Sequence, residues 1–319
     1  EPLLLKNETV YEPSAQTLLM LDQINRQTAE SQQDLLIFAD PVFTADDARL
    51  RGDGSTAETA ESSSYETFRF AESLTSLKRL AASQKESRMV EEIVGSGRTR
   101  VLDGFSATRE NALSGELSKY RIIHFATHGI VDENRPALSG IVLSAFDREG
   151  RPLEQIVRLH DIYGMNLNAD LVVLSACSTG IGKEVKSEGL MSLNNAFLSV
   201  GARTVASSLW KVEDGAALEL MKNFYEAMTR EKLAPSKAMQ TAQIKMRENA
   251  RYRSPFYWAA FTVQGDYRNA PGLSDGGAGA RWLYAALAAA LFPAGLFFAA
   301  RFIRRRNQIS AAGLRGRES

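Results

Sequence analysis

The chain has very little cysteine, with Cys177 alone among 319 residues. A single cysteine excludes an intrachain disulfide and any metal site built from several thiolates. The three histidines, at positions 124, 128 and 160, would need a carboxylate such as Asp161 to converge from a distant segment before they could hold a metal ion. We therefore expect neither a metal nor a cofactor. The lone thiol is either packed in the core or used in chemistry.

An excess of charge of one sign is also missing from most of the chain. The 38 basic and 38 acidic residues balance, and seven arginines against one glutamate follow from Arg281 onward. The remainder is mildly acidic and lacks the clusters of Lys and Arg that would neutralise several phosphates, which excludes nucleic acid as the expected partner of the main domain. With 44% hydrophobic and 24% charged residues, the composition is that of an ordered globular protein.

Short apolar runs alternate with amphipathic stretches along the chain. The apolar runs predict strands over residues 35–38, 122–126, 141–143, 171–174, 202–209 and 261–263. The amphipathic stretches predict helices over residues 17–27, 66–82, 87–94, 188–200, 215–229 and 235–248. This alternation predicts an α/β fold with a mainly parallel sheet flanked by helices on both faces. The Gly/Ser/Thr-rich stretch 52–64 predicts an exposed loop.

The longest uncharged run lies near the C-terminus and predicts a transmembrane helix. Residues 282–303 supply the roughly 20 apolar positions that cross a bilayer, with Trp282 and Tyr284 at one end and an arginine cluster at the other. We therefore expect a single-pass membrane protein; the alternative is an apolar helix docked on the main domain. The positive-inside rule puts the C-terminus in the cytoplasm and the main domain on the opposite face.

These elements divide the chain into five parts. They are a lead-in helix over 1–29, a main domain over 30–268, a linker over 269–281, the transmembrane helix over 282–303 and a basic tail over 304–319. The chain begins at Glu1 rather than Met, without the basic flank and apolar core of a secretory signal, so we expect more protein to precede it. Because that part could hold further spans, the side of the membrane that carries the main domain stays open.

Two residues that can do chemistry follow predicted strands at the point where each strand ends. His128 follows the strand over 122–126, and Cys177 follows the strand over 171–174. Because the carboxyl ends of parallel strands lie at one edge of a sheet, we expect the thiol and the imidazole to be close together. A thiol with an ordinary pKa is mostly protonated at neutral pH, and the imidazole would supply the base that a nucleophile needs.

Gly129 directly follows His128, and Gly180 and Gly182 lie in the loop after Cys177. These glycines indicate a backbone that can turn sharply and aim N–H groups at an oxyanion. The backbone amides of Gly129 and Cys177 are the candidates. The alternative for Cys177 is a small buried side chain. His124 lies inside a predicted strand and is expected in the core, whereas His160 is expected at a solvated helix start, so neither is assigned to catalysis.

Several longer strings resemble the CHAT domain family. They are HFATHG (124–129), LVVLSACSTGIG (171–182), SEGLMSLNNAFLSVGARTVASSLWKVED (187–214) and FYWAAFTVQGD (256–266). Shorter matches, EPSA (12–15), DPVF (40–43) and SATRENAL (106–113), extend the resemblance over nearly everything from about residue 11 to residue 266. One departure is TREKLAP (229–235), where we expect a glycine-containing turn between two helices.

The resemblance implies a caspase-like, separase-related fold and a cysteine endopeptidase that cleaves protein or peptide substrates. It assigns His128 and Cys177 as the catalytic dyad, since they stand in the family's His-Gly and Ala-Cys positions. It also implies substrate recognition by the loop that holds Trp210, Glu213 and Asp214. Asp214 is equally well explained as the N-cap of a solvated helix.

Members of the family are often attached to tetratricopeptide repeats and regulated by a partner. A repeat region or a regulatory protein is therefore an expected partner, and a cytoplasmic peptidase is implied. The main hypothesis is a membrane-anchored, caspase-like cysteine endopeptidase. The alternative is a regulated caspase-like scaffold or interaction module with little turnover. A third hypothesis is another thiol-dependent transferase or hydrolase on the same sheet, because fold alone does not fix function.

Overall fold

Apolar runs rich in Val, Ile and Leu form the strands at the centre of the molecule. The computed structural model describes residues 3–11, 33–50, 77–131, 138–175, 178–180 and 188–273. The strands in these ranges are β1 (Gln33–Ala39), β2 (Thr99–Asp103), β3 (Tyr120–Ala126), β4 (His128–Val131), β5 (Gly140–Val142), β6 (Ile156–Arg158), β7 (Leu171–Leu174), β8 (Ser178–Gly180), β9 (Thr204–Ser208) and β10 (Phe261–Gly265). The six predicted strands correspond to β1, β3, β5, β7, β9 and β10 and are confirmed.

Amphipathic stretches form the helices that cover these strands. The α-helices in the described ranges are α1 (Ala81–Val94), α2 (Arg109–Leu113), α3 (Leu159–Tyr163), α4 (Glu188–Ser199), α5 (Asp214–Thr229), α6 (Pro235–Glu248) and α7 (Pro255–Trp258). The predicted helix over 235–248 has the bounds of α6, which starts with proline, a residue that fits the first helical turn. The predicted helix over 66–82 differs, because residues 77–80 are not helical and α1 begins only at Ala81. The predicted helix over 17–27 lies outside the described residues.

The main sheet has six strands in the order β10-β9-β7-β3-β1-β2. The pairs β1 with β2, β1 with β3, β3 with β7, and β7 with β9 are parallel, which confirms the predicted mainly parallel sheet. The last strand, β10, is antiparallel to β9, a direction that a short apolar run does not encode. Beside β10, the backbone N–H of Tyr11 donates to the carbonyl of Val263 at 3.0 Å.

A second sheet, with the strand order β6-β5-β4-β8, begins where β3 ends. β3 stops at Ala126 and β4 starts at His128, so that a single residue separates the two strands. β4 is antiparallel to β5 and parallel to β8. The sequence leads us to expect a flexible backbone beside His128, at Gly129. Instead, both residues belong to β4, where His128 pairs with Val142 and Gly129 with Ile141.

Alternate side chains of the main sheet contribute to two apolar layers, as expected for a sheet buried on both faces. One layer joins residues such as Ile122 and Val173 to helices α1, α5 and α6. The other joins residues such as Phe38 and Phe125 to helices α2, α3 and α4. His124 has the strand parity of Ile122, so its side chain belongs to the α1 and α5 side of the sheet.

The turn between α5 and α6 has no glycine, although the family resemblance leads us to expect one there. Lys232 adopts the left-handed conformation in this turn, with a φ of 55°. A lysine in that conformation costs about 1–2 kcal/mol relative to the right-handed one. The departure from the family pattern is therefore accommodated by local backbone strain at an exposed residue.

The predicted membrane segment is not among the described residues. Within the described ranges, no helix combines the length and the apolar character needed to cross a bilayer. The predicted span over 282–303, the tail over 304–319 and the loop over 52–64 lie outside those ranges. Of the predicted linker, residues 269–273 are described: Leu273 packs against the core, and the N–H of Gly272 donates to Asp170 at 3.2 Å.

Candidate active site

The carboxyl ends of three parallel strands lie next to one another at one edge of the main sheet. β1 ends at Ala39, β3 at Ala126 and β7 at Leu174, and β3 lies between the other two. Ligands usually bind at this edge of a parallel sheet, because loops and helix N-termini meet there. A cleft of about 220 Å³ lies at this edge, and His128 and Ser175 are among the residues that line it.

The His128 ring is oriented by two contacts. Its Nε2 lies 2.8 Å from the carbonyl oxygen of Lys78, and its ring centroid lies 4.8 Å from that of Phe43. A carbonyl oxygen can only accept a hydrogen bond, so Nε2 carries the proton. In the neutral ring, Nδ1 then carries the lone pair that a general base needs. His128 is only 7% exposed, so the orientation of its ring is also restrained by packing.

The surroundings of His128 keep its imidazole neutral. Burial lowers the pKa of His128 below its ordinary value of 6.5, and the positive charge of Lys211 lowers it further. The hydrogen bond to the Lys78 carbonyl and the negative charge of Asp214 act in the opposite direction but are outweighed. A neutral imidazole at neutral pH can accept a proton, which is what the activation of a thiol requires.

The cleft is small and carries charges of both signs. Its charged lining residues are Lys78, Arg79, Glu86, Lys211 and Asp214. A volume of about 220 Å³ is below the roughly 300–1,000 Å³ of a site that encloses a drug-sized ligand. The cleft is therefore suited to one side chain of a longer ligand rather than to a whole small molecule.

Cys177 lies outside the described residues, but the chain on both sides of it is described. The N–H of Ser175 donates to the carbonyl of Phe125 at 3.1 Å, and Ser175 lines the same cleft as His128. On the other side, Ser178 pairs with Gly129, the residue after His128. The residues that flank the Ala176-Cys177 dipeptide are thus both next to the segment that carries His128.

Only one of the two predicted oxyanion donors is among the described residues. Gly129 is described within β4, where it pairs with Ile141 on one side and Ser178 on the other. The amide of Cys177 lies outside the described residues. The assignment of Gly129 and Cys177 to an oxyanion site therefore stays a prediction. Among the described residues, no group of three or more His, Cys, Asp and Glu side chains is arranged to hold a metal ion.

The three residues predicted to bind substrate have different surroundings. Asp214 lines the cleft, with Lys211 from the same loop. The indole N–H of Trp210 donates to the carbonyl of Phe256 at 3.0 Å, and Glu213 lies 3.4 Å from the guanidinium of Arg251. Asp214 is the first residue of α5 rather than its N-cap, which is Glu213.

The other two histidines have the surroundings expected from the sequence. His124 is fully buried, with Nδ1 2.8 Å from the hydroxyl of Tyr225 and Nε2 3.0 Å from Oε1 of Glu86. The latter contact does not have hydrogen-bond geometry. Burial raises the pKa of Tyr225 well above its ordinary value, and the charge of Glu86 adds to this effect. His160, in α3, is exposed.

Sequence reasoning misses several residues at this edge of the sheet. Lys78 takes part through its backbone carbonyl, which no residue type reveals. Glu86 is on α1 and reaches the cleft from the helical layer, and nothing in its local pattern separates it from a solvated helix residue. Asp40 has a detectable signal, because a carboxylate directly after a buried strand lies at the same edge of the sheet as His128.

Comparisons with known proteins agree with the family resemblance. The family model for the CHAT domain matches residues 1–266. The chain is 26% identical to tetratricopeptide repeat protein 28 of Mus musculus and, equally, to that of Homo sapiens. Each alignment covers 58% of this chain and 8% of the relative, so the chain corresponds to a small part of those much longer proteins.

Among solved structures, the chain is similar to cysteine proteinases. The Arg-specific cysteine proteinase gingipain R matches with a TM-score of 0.45 and 11% identity, over 81% of this chain and 52% of that one. Separase in the Saccharomyces cerevisiae separase-securin complex matches with a TM-score of 0.45 and 15% identity, over 80% of this chain and 14% of that one.

Proposed function

The chain belongs to the CHAT domain family, and we propose that it is a membrane-anchored, caspase-like cysteine endopeptidase in which His128 and Cys177 form the catalytic dyad. The observation that carries this proposal is the protonation and the position of the His128 ring. Its Nε2 donates to a fixed carbonyl, so that Nδ1 is left as a base in a cleft bordered by Ser175, two residues before Cys177. A histidine that only packs in the core would be enclosed like His124, whereas His128 borders a cleft.

The proposed reaction is acyl transfer through a thioester. Nδ1 of His128 takes the proton of the Cys177 thiol, and the thiolate attacks the carbonyl carbon of the scissile peptide bond. The C–N bond then breaks, and the same proton passes from Nδ1 to the leaving amine. A water molecule next gives a proton to Nδ1 and attacks the thioester, which releases the acid and restores the thiol. The backbone amides of Gly129 and Cys177 are the proposed donors to the oxyanion in both steps.

The cleft beside His128 is the proposed pocket for the side chain that precedes the scissile bond. Of the three residues predicted to bind substrate, Asp214 is the one that lines this pocket, and Glu86 adds a second carboxylate. Lys78 and Lys211 also line the cleft and oppose these two charges, whereas Arg79 is paired with Asp40. We therefore assign Asp214 the larger part in selecting a basic side chain, and Trp210 and Glu213 a smaller part outside the pocket.

Membrane anchoring by residues 282–303 is a separate part of the proposal, supported by the uncharged run and its arginine flank. The anchored chain should stay in the membrane fraction through high-salt and carbonate washes. Truncation after Leu273, which retains the contacts of the core, should release the peptidase in soluble form. A truncated chain that still pellets with membranes would contradict this part alone. Protection of a tag near Ser62 from added protease would report the side of the membrane.

The dyad is tested by labelling Cys177 with a peptide electrophile and locating the adduct by mass spectrometry. We expect stoichiometric labelling of the wild-type chain and a large loss of labelling rate in His128→Ala. The matched control is His160→Ala, which removes an exposed histidine and should label like the wild type. A thiol that is equally inert in the wild type and in His128→Ala would instead support the scaffold hypothesis.

A further inference from the structure

An ion pair between Asp40 and Arg79 lies at the edge of the main sheet where β1 ends, and the proposed mechanism gives it no role. We propose that it is a positioning pair, which holds the Lys78 carbonyl where it orients the imidazole of His128. This inference rests on the proposed function, because orientation matters only if His128 acts as a base. Neither Asp40 nor Arg79 is proposed to touch the reacting atoms.

Asp40 is held firmly where β1 ends. Its side chain is 1% exposed, and its backbone has the left-handed φ of 45° that a non-glycine residue rarely adopts. Its N–H donates to the hydroxyl of Ser83 at 2.8 Å, in the first turn of α1. The backbone of Asp40 therefore has a fixed position relative to both the sheet and the helix.

Arg79 binds this carboxylate through two nitrogens. Its Nε donates to Oδ1 of Asp40 at 3.0 Å, and its Nη2 donates to Oδ2 at 2.6 Å. These hydrogen bonds raise the pKa of Arg79 above its already high ordinary value, so the guanidinium keeps its positive charge. Paired, charge-assisted hydrogen bonds of this kind fix geometry as well as contributing energy.

The pair acts on Lys78 through the peptide bond between residues 78 and 79. The carbonyl of Lys78 and the Cα of Arg79 belong to one planar peptide unit, so anchoring Arg79 restricts the direction in which the carbonyl points. Regular hydrogen bonding does not do so, because residues 77–80 are in neither a helix nor a strand. Leu77 and Leu80 pack against a small apolar cluster with Phe43, which restrains the segment but not the carbonyl direction.

Arg49 provides a matched comparison on the same carboxylate. Its Nη1 donates to Oδ2 of Asp40 at 3.0 Å, and its other described contacts are with the carbonyls of Asp40 and Pro41 and with Asp47. None of these contacts is with residues 77–80. If Asp40 and its arginines only stabilise the fold, loss of Arg49 should be at least as harmful as loss of Arg79.

The test compares Arg79→Gln with Arg49→Gln in the full chain. Because a misplacement of about 1 Å can cost about 100-fold in rate, we expect Arg79→Gln to lower kcat for a peptide substrate by about 10- to 100-fold. KM should change by less than about threefold, whereas loss of a direct substrate contact would raise KM and leave kcat unchanged. Arg79→Lys, which keeps the charge, should recover part of kcat. Arg49→Gln should change thermal stability without changing kcat.

A second measurement does not depend on peptidase activity. In chains labelled with 15N at histidine, the ring signals of His128, identified by their loss in His128→Gln, report which nitrogen carries the proton. We expect the Nε2–H form in the wild type and in Arg49→Gln, and a mixture with the Nδ1–H form in Arg79→Gln. Unchanged His128 signals in a folded Arg79→Gln chain would overturn the positioning pair. A shifted signal in a chain that cleaves no peptide would support the pair and contradict the proposed function.

Discussion

His124 and His128 lie four residues apart on almost continuous strands, yet their surroundings differ in every respect that matters for chemistry. His124 is enclosed between the main sheet and the helical layer of α1 and α5, where Tyr225 and Glu86 surround its ring. His128 is past the end of β3, in a cleft, with one ring nitrogen held by a backbone carbonyl. The difference indicates that position at the sheet edge, rather than residue type, separates a structural histidine from a candidate base.

The largest difference between substitutions of His128 and His124 is expected in kcat. His128→Ala should lower kcat for a peptide substrate by about 100- to 10,000-fold, because it removes the base while the cleft remains. It should lose less thermal stability than His124→Ala, because His128 borders a cleft whereas His124 is fully buried. Steady-state kinetics and a melting curve on the same preparation measure both quantities. Normal turnover in the folded variant would remove His128 from the mechanism.

The opposite pattern is expected for the buried site. His124→Ala leaves a cavity and takes the partner from the Tyr225 hydroxyl, so it should lower the free energy of unfolding by about 2–5 kcal/mol. Tyr225→Phe is a milder variant that removes only the hydroxyl and should cost about 1–3 kcal/mol. Denaturant unfolding measures these losses. If Tyr225→Phe instead lowers kcat in a chain of normal stability, the buried site is coupled to the cleft and the comparison fails.

A smaller effect is expected on substrate preference, and it distinguishes two adjacent acidic residues. Asp214→Lys should lower the preference of the enzyme for Lys or Arg before the scissile bond by about tenfold or more, because it reverses a charge in the pocket. Glu213→Lys is the control, since Glu213 lies near Arg251 and is not among the described residues that line the cleft. A peptide library that gives the same preference for Asp214→Lys and wild type would exclude Asp214 from the pocket.

The smallest effect is a shift in the pH dependence of kcat/KM. Because the free imidazole is the active form, activity should rise with pH through the pKa of His128, which lies below 6.5. Lys211 lowers this pKa, so Lys211→Gln should move the rise to higher pH. Asp214 raises it, so Asp214→Asn should move the rise to lower pH. Shifts in the same direction for both variants would contradict the assignment of the rise to His128.

The sequence predicts the fold well where periodicity carries the information. The buried strands and the helices over 188–200, 215–229 and 235–248 agree with the structure to within a few residues, because a sheet covered on both faces needs uninterrupted apolar runs. The antiparallel direction of β10 and the short strands β4 and β8 are not predicted, since strand pairing depends on distant residues. The apolar pattern over residues 77–80 predicts a helix, but these residues are not helical. There, Lys78 contacts His128 and Arg79 contacts Asp40, and these contacts favour another conformation.

The candidate site is predictable only in part, for a similar reason. His128 has a signal because it follows a predicted strand, and the expectation that His124 belongs to the core agrees with its full burial. The carbonyl of Lys78 has no such signal, because every residue carries a carbonyl and only the tertiary structure selects one. The assignment of Cys177 still rests on sequence and family, since it lies outside the described residues.

The most direct test of the central claim is cleavage of a peptide library by the full-length chain and by Cys177→Ala, with product masses read by mass spectrometry. Removing the nucleophile deletes the covalent route and changes the side chain by little more than a sulfur atom, so the fold should be retained. We predict new peptide ends with the wild type and none with Cys177→Ala. Equal cleavage by both would contradict the dyad, and no cleavage by a wild-type chain whose Cys177 is also inert to the peptide electrophile would contradict the peptidase.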